Sequence, residues 1–145
     1  MKLQTCSETI GFAKKLENEA SKFYEDLSTR YTKNKDAFLS FVEENNRYVV
    51  QIERAYYSVI TDAIEGGFAF DLDPHEYTFR TKLPENASYA DALAKALEIE
   101  EKIIKFYSDA AEHSMSLMAD VPRNFAIVAK KRKNRIQKLK SLSQD

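Results

Sequence analysis

The stretch AKKLENEASKFYEDL, residues 13–27, decides the fold, and ALEIEEKIIKFYSDA, residues 96–110, repeats its pattern. Apolar side chains in both stretches recur at alternating intervals of three and four residues, which places them on one face of an α-helix. Each face also carries a glutamate, Glu17 or Glu100, seven residues before the tyrosine of a Phe-Tyr pair. Carboxylates are rarely buried without a partner or a metal ion, so the groups that face these two acids decide the function.

Composition favours one all-α domain over residues 1–145. Three glycines, three prolines, 31% charged residues and 43% hydrophobic residues suit long helices. The net charge of −1 gives no overall bias toward nucleic acid or an anionic membrane. No apolar run approaches the roughly 20 residues of a membrane span, and the N-terminus lacks the apolar stretch of a signal peptide, so we expect a cytoplasmic protein. Cys6 is the only cysteine, and we interpret it as an incidental thiol.

Periodicity and capping signals predict four helices. Thr5 and Glu8 have the spacing of a capping box, and Pro122 is tolerated in the first turn of the last helix. The predicted limits are Thr5 to about Tyr31, Asn34 or Asp36 to Gly66-Gly67, Ser88 to Met118, and Asp120 onward. The predicted inner faces are Ile10, Ala13, Glu17, Ala20, Tyr24, Leu27 and Tyr31; Phe38, Phe41, Asn45, Tyr48, Ile52, Ala55 and Val59; Leu93, Ala96, Glu100, Ile103, Tyr107, Ala110, Ser114 and Leu117; and Phe125, Val128, Arg132, Arg135, Leu139 and Leu142.

The connections predict how these helices are arranged. Short links join the first helix to the second and the third to the fourth, so each pair should form an antiparallel hairpin. The link between the hairpins, residues 66–87, is much longer than the usual connection of about 2–8 residues in a bundle. Two hairpins joined by one long crossover form the ferritin-like type of four-helix bundle.

The repeated glutamate and Phe-Tyr motif resembles the rubrerythrin-type branch of the ferritin-like superfamily, and the resemblance covers nearly the whole chain. In that family each hairpin supplies one glutamate from its first helix and a Glu-x-x-His from its second, and together these residues hold two iron or manganese ions. The resemblance places Glu17 and Glu100 at the two single-glutamate positions.

The second helix of each hairpin departs from the family pattern. FLSFVEENNRY, from Phe38, aligns with FAIVAKKRKNR, from Phe125. The positions of Glu and His then hold Asn45 and Tyr48 in one copy, and Arg132 and Arg135 in the other. Shifting the frame by one residue brings Glu44 to the first position but puts Arg47 where histidine is needed. Four of the six ligands that the resemblance implies are therefore replaced.

These replacements suggest that guanidinium groups took the place of metal. Arg132 and Arg135 lie one helical turn apart on the inner stripe and can supply two positive charges to Glu17 and Glu100. We expect Arg132 to point inward, whereas Arg135 can either point inward or extend to the rim of the bundle. Pairing should lower the pKa of a carboxylate relative to that of an unpaired buried acid. Asn45 and Tyr48 are expected to donate hydrogen bonds to the remaining oxygens, and no metal or other cofactor is expected.

An active diiron oxidoreductase, peroxidase or iron-binding protein is the main alternative. It would need iron or manganese and several further carboxylate and histidine ligands. The two histidines are His75 in the crossover and His113 beside the inner stripe of the third helix, and both are expected at the surface or rim. The Cys-rich rubredoxin module of full rubrerythrins has no counterpart in this sequence.

Partner binding is the second question that the sequence raises. Seven Lys or Arg residues between Lys130 and Lys140 could bind nucleic acid, but they surround the helix and no aromatic residues alternate with them. We therefore expect a non-catalytic structural or partner-binding bundle, a homodimer, and no membrane or nucleic-acid partner. Met115 and Met118 are expected to fill the core, and the tyrosines of the second helix to pack. The aromatic and aliphatic residues in excess of one inner stripe, expected to line the crossover, a second helix contact or a dimer surface, are Phe12, Leu16, Phe23, Tyr56, Tyr57, Phe68 and Phe70.

Overall fold

Four long helices dominate the computed structural model, which describes residues 2–60, 70–116 and 120–143. They are α1 (Cys6–Arg30), α2 (Lys35–Ile60), α3 (Tyr89–His113) and α4 (Asp120–Leu142). Short 3-10 turns occur at Pro74–Glu76 and Ser114–Ser116, and within the described ranges no residue belongs to a regular β-strand. The four predicted helices are thus confirmed as an all-α bundle. The predicted helix ends at Gly66-Gly67 and Met118, the inner side chains Val59 and Leu117, and Phe68 lie outside the described parts.

Capping boxes begin α1, as its sequence predicts, and also α3. The Thr5 hydroxyl accepts a hydrogen bond from the Glu8 backbone N–H (3.1 Å), and the Glu8 carboxylate accepts one from the Thr5 N–H (3.0 Å). Ser88 and Asp91 make the same reciprocal pair at 3.1 Å in both directions. These bonds satisfy N–H groups that a helix start leaves without intrahelical partners.

The starts of α2 and α4 differ slightly from expectation. Asn34 directly precedes α2 with a φ of 63°, and its backbone carbonyl accepts from the Phe38 N–H (3.3 Å), whereas Asp36 lies inside the first turn. Asparagine is among the few residues that adopt this left-handed conformation readily. Asp120 is itself the first residue of α4 rather than a cap outside it. The capping signals therefore located both starts to within a residue.

Each hairpin is antiparallel. Along α1 and α2, Lys14 pairs with Glu53 (3.3 Å), while Ser21, further along α1, meets Asn45, which is earlier in α2 (3.1 Å). Contacts thus move up one helix as they move down the other. The α3–α4 pair is antiparallel as well, because Tyr107 contacts Phe125 (6.1 Å between centroids), while Glu100, earlier in α3, contacts Arg132, later in α4 (2.6 Å). Since α2 also packs along α4, the four helices surround one core.

The segment before α3 runs along the outside of α1. At one end, Leu3 and Leu72 exchange backbone hydrogen bonds of 2.7 and 3.1 Å. Farther on, the Tyr77 ring packs edge-on against Phe106, with the centroids 5.4 Å apart. At the other end, Arg30, the last residue of α1, donates to the carbonyl oxygens of Leu83 (3.2 Å) and Pro84 (2.9 Å). Residues 72–84 therefore extend over the length of α1, and α3 starts at the end where α1 finishes.

The core contains nearly all the predicted inner positions. The described members of the four stripes are buried except Tyr31, which is half-buried. Additional buried side chains come from the outer side of α1 and from the crossover; they are Phe12, Leu16, Phe23, Phe70, Leu72, Tyr77 and Leu83. The prediction that Met115 fills the core is wrong, because 73% of its surface is exposed. Tyr57 lies outside the core, since it is 58% exposed, and its ring contacts that of Tyr56 (5.7 Å between centroids).

None of the helices in the described ranges combines the length and the apolar character needed to cross a lipid bilayer.

Candidate functional site

Two glutamates meet at the centre of the bundle, one from α1 and one from α3. Glu17 is 1% exposed and Glu100 is fully buried. Each lies on the inner stripe of its helix between small or aliphatic neighbours, so helical periodicity directs both carboxylates toward the bundle axis. Burial of two such acids without compensation would cost several kcal/mol per charge, by order of magnitude. The compensating groups come from α4.

Arg132 bridges the two acids. Its Nη1 donates to Oε1 of Glu100 (2.6 Å), and its Nη2 donates to Oε1 of Glu17. The same Nη2 also donates to the side-chain oxygen of Asn45 (2.9 Å). The guanidinium is fully buried and lies 5.3 Å from the centre of the Tyr48 ring. One planar cation thus connects α1, α2 and α3, which confirms its predicted inward position.

Arg135 extends this network toward the surface. Its Nη1 donates to Asn45 Oδ1 (2.9 Å) and to Oε2 of Glu100 (3.2 Å). Its Nη2 donates to Oε1 of Glu44 (3.0 Å), whose side chain is 40% exposed. The guanidinium also stacks near the Phe41 ring, 4.7 Å from the centroid. Arg135 therefore points inward and is also in contact with a carboxylate at the rim.

Two tyrosines donate further hydrogen bonds to the acids, each to the acid of the other hairpin. The Tyr107 hydroxyl of α3 donates to Oε2 of Glu17 in α1, and the Tyr24 hydroxyl of α1 donates to Oε2 of Glu100 in α3, both at 2.6 Å. Burial and the adjacent carboxylates raise the pKa of each tyrosine well above its usual range. Both hydroxyls therefore stay protonated and serve as donors.

The expected roles of Asn45 and Tyr48 are wrong. Asn45 accepts hydrogen bonds from both arginines and donates its amide N–H to the Ser21 hydroxyl (3.1 Å), so it donates to neither glutamate. Among the described residues, the Tyr48 hydroxyl makes no hydrogen bond, and its ring covers the guanidiniums. Besides the arginines, the donors to the acids are Tyr24 and Tyr107, which were predicted only as members of the inner faces. The sequence did indicate that these tyrosines lie near the acids. In each helix the tyrosine follows the glutamate by seven residues, or about two helical turns, so both side chains lie on the same face.

The buried charges balance, but the two acids are not equivalent. Glu100 contacts both arginines; burial alone would raise its pKa, but the two guanidiniums outweigh burial and hold the pKa below the ordinary value. Glu17 contacts only Arg132, and burial raises its pKa despite that partner. The carboxylates in turn raise the pKa of both arginines, against the opposite effect of burial. Both guanidiniums consequently remain charged at any ordinary pH.

Each arginine has one donor without a protein partner. The Nε atoms of Arg132 and Arg135 are buried and have no hydrogen-bond acceptor among the described residues. The carboxylates accept only from the Nη atoms. The two-point pairing in which one carboxylate accepts from Nε and an Nη of the same arginine is not formed. The network is therefore nearly, but not fully, satisfied.

The side chains at this position do not fit a dinuclear metal centre. Two carboxylates are present, but each already accepts from a guanidinium and a tyrosine, and arginine cannot act as a ligand because it stays protonated. His75 is exposed in its 3-10 turn. His113 accepts a hydrogen bond from the Asp71 N–H (3.2 Å) and lies 13 residues beyond Glu100, or roughly 20 Å along the helix. In the described parts of the chain, no three His, Cys, Asp or Glu side chains cluster in a way that could hold a metal ion.

In this arrangement each buried carboxylate accepts hydrogen bonds from at least one guanidinium and from one tyrosine hydroxyl. The tyrosine hydroxyls and both guanidinium groups remain protonated near neutral pH. Comparison of the chain with models of known protein families, with curated proteins and with solved structures gave no match. The assignment of a function therefore depends on the residues and their geometry alone.

Proposed function

We propose that this chain is a ferritin-like bundle of the rubrerythrin type in which a buried network of glutamates and arginines replaces the dinuclear metal centre. Its role is structural or partner-binding, and it performs no redox catalysis of its own. The observation that carries this proposal is the bridge formed by Arg132 between Glu17 and Glu100. A cation of the protein stands where the resemblance implies a metal ion.

The path of the chain supports the ferritin-like assignment. The segment before α3 passes along α1 from Leu72 to Pro84, as a crossover between two hairpins must. Contacts between α1 and α3 run in opposite directions, because Glu17 meets Tyr107 while Tyr24 meets Glu100. These two features are what a bundle with parallel second and third helices requires.

The outer surface of α2 supports a protein partner. Leu39, Val50 and Tyr57 are three of the four large hydrophobic side chains exposed on the described residues, with exposures of 38%, 46% and 58%. Their spacings of eleven and seven residues place them along one side of the helix. We propose a protein contact on this stripe, with a second copy of the chain as the expected partner. The cytoplasm remains the expected location.

Elemental analysis of protein purified without a chelator tests the absence of a metal centre. We expect less than one iron or manganese atom per chain, before and after incubation with Fe²⁺ or Mn²⁺ and gel filtration. Two tightly held metal atoms per chain would instead establish the diiron oxidoreductase or iron-binding alternative.

A gain-of-binding variant tests the alignment of the second helices. The combined change Asn45→Glu, Tyr48→His, Arg132→Glu and Arg135→His restores the ligand types that the family uses, and we expect the variant to bind iron or manganese. A variant with Lys130→Glu and Lys133→His carries similar ligands on the exposed face of α4 and should remain metal-free. If the four-residue variant folds, as judged by circular dichroism, yet binds no metal, the alignment is incorrect.

A further inference from the structure

A groove between α2 and α4 lies outside the buried network. It has a volume of about 700 Å³, within the range of about 300–1,000 Å³ that is usual for small-molecule sites. Arg47 and Arg54 line it from α2, and Lys131 lines it from α4. A hydrogen bond of 2.7 Å from Gln51 to Asn124 crosses between the two helices and joins its walls. The walls are therefore two long helices that are tied together.

The groove carries an excess of positive charge. In the described ranges, Arg47, Arg54 and Lys131 form no ion pair with any carboxylate. The one acid on the same lining is Asp120, so two positive charges remain uncompensated. All three cations are exposed, and a ligand can reach them without a change in the fold.

The positive lining continues toward the start of α2. Two smaller cavities follow the same seam, and Lys131 lines both of them. Lys138 and the buried Arg135 border the second cavity. The carboxylate of Glu44 lies there as well, but it is already held by Arg135 at 3.0 Å. Among the described residues, Lys131 and Lys138 form no ion pair, whereas Arg135 is paired with Glu44 and Glu100.

The spacing of the cations suits an elongated anion. Arg47 and Arg54 are seven residues apart, or about 10.5 Å along the helix axis, and Lys131 and Lys138 are separated by the same interval on the opposite wall. Because α2 and α4 are antiparallel, the two rows form one continuous strip. A single phosphate or carboxylate can contact only part of it, whereas a chain of anionic groups can contact both walls.

We propose that the α2/α4 groove binds a small anion with two or more linked phosphoryl groups. Arginine and lysine both bind phosphate, arginine through its planar fork and lysine as a point charge. Single-stranded nucleic acid is disfavoured, because the aromatic rings that line the two smaller cavities with Lys131, Tyr48 and Phe41, are 4% and 1% exposed and offer no face for base stacking. The proposal does not depend on whether the bundle centre holds metal.

Calorimetric titration with inorganic tripolyphosphate tests the groove directly. We expect saturable binding to the natural protein, weaker binding of pyrophosphate, and little binding of orthophosphate. The double variant Arg47→Gln, Lys131→Gln should weaken tripolyphosphate binding by about tenfold or more, since it removes two charged contacts. The matched control Lys130→Gln, Lys133→Gln loses the same net charge from the exposed side of α4 and should bind within about twofold of the natural protein.

Three outcomes would overturn the proposal. The first is the absence of saturable tripolyphosphate binding at about 50 mM salt, where screening of exposed charges is weak. The second is an equal loss of affinity in both double variants, which would indicate general attraction rather than a groove. The third is tighter binding of a short single-stranded DNA, competing with tripolyphosphate at the same residues, which would assign the groove to nucleic acid. Titration with a nucleoside triphosphate shows whether the ligand is a nucleotide. An affinity equal to that of tripolyphosphate supports a site that recognises phosphate alone. A higher affinity supports a site for a nucleotide.

Discussion

Arg132 keeps its charge while fully enclosed because its guanidinium faces two carboxylates and an amide oxygen. Lysine could not replace it, since an ammonium group is a single point of charge and could not contact Glu17, Glu100 and Asn45 from one planar group. The choice of arginine at this position is therefore tied to the separation of the two acids, which the bundle geometry fixes.

Replacement of Arg132 by methionine should strongly destabilise the protein. Methionine retains an apolar stem but removes the charge, so that Glu17 loses its one guanidinium partner. We expect the free energy of unfolding to fall by about 3–5 kcal/mol, as for other broken buried ion pairs. Urea denaturation measures this loss, and Lys133→Met, on the exposed side of the same helix, is the control and should change it by less than about 0.5 kcal/mol. A loss no larger than that of the control would contradict the bridge.

The pKa values of Glu17 and Glu100 are shifted in opposite directions, so the two residues should have opposite effects on how the stability of the protein depends on pH. The pKa of Glu100 is lowered in the folded state, so its contribution is complete above the ordinary value of 4.5 and is lost as the pH falls through the folded pKa. The pKa of Glu17 is raised, so its contribution is complete below 4.5 and is lost as the pH rises through the folded pKa. We expect Glu100→Gln to flatten the loss of stability as the pH falls below about 4.5, and Glu17→Gln to remove a gain of stability that accompanies the fall of pH toward 4.5. Denaturation midpoints measured from about pH 7 to pH 3 check both signs, and the same pH dependence in the two variants would refute the asymmetry.

Sequence periodicity was sufficient to place the charged residues of the site but not their bonds. Arg132 follows the same three-four spacing as Phe125 and Val128, so its inward direction could be predicted, whereas the long side chain of Arg135 left its direction open. The bond from Arg135 to Glu44 was not predicted, because Glu44 lies off the inner stripe and only side-chain length brings the two together. Helical position determines direction, whereas a hydrogen bond also depends on rotamers and on the neighbouring helix.

At the scale of elements, the crossover is held by a few side chains rather than by secondary structure. Tyr77 packs on Phe12 and Phe106, and its hydroxyl donates to Asp109 (2.7 Å). Burial and Asp109 raise the pKa of Tyr77, so the hydroxyl remains a donor. Neither this contact nor the Leu3–Leu72 pairing has a sequence period, which explains why the sequence showed the length of the crossover but not its attachment.

Removal of the Tyr77 side chain should loosen the crossover while leaving the helices in place. Tyr77→Ala deletes the ring that packs between α1 and α3 and the hydrogen bond to Asp109. We expect trypsin to cleave several-fold faster after Arg80 or Lys82, both of which follow in the crossover, because cleavage depends on local opening. Mass spectrometry of the fragments over time locates the cut. The control Tyr57→Ala alters a tyrosine that is 58% exposed, and unchanged cleavage in both variants would show that Tyr77 does not hold the segment.

At the scale of the whole molecule, the internal repeat accounts for both the symmetry and the asymmetry of the site. The first helices of the two hairpins remain equivalent, so Glu17 and Tyr24 of α1 bond to Tyr107 and Glu100 of α3 in matching fashion. The second helices differ, with Asn45 on one side and Arg132 on the other. Connection lengths and these repeats were enough to predict the bundle. The α2/α4 groove could not be predicted, because it depends on how far two exposed faces stand apart.

Exchange of the entire network for apolar side chains tests what it contributes to the molecule. A variant would carry Glu17→Leu, Glu100→Leu, Asn45→Leu, Arg132→Met, Arg135→Met, Tyr24→Phe and Tyr107→Phe, which removes both acids and both arginines together with the amide and the two hydroxyls that bond to them. Single removals should destabilise, since each leaves an unpaired charge. The variant with all seven changes should equal the natural protein in stability or exceed it by about 1–4 kcal/mol. Apolar side chains can be buried without the cost of removing charged groups from water.

Calorimetry of the full variant and of the single variants measures this non-additivity. Arg132→Met and Glu100→Leu serve as the single-change references. A broad transition with loss of near-ultraviolet circular dichroism would show that the charges are needed for one defined packing arrangement. A sharp transition at an equal or higher temperature would mean that the bundle does not require its charged centre to fold, as expected if arginines merely compensate two acids that remain from a metal site.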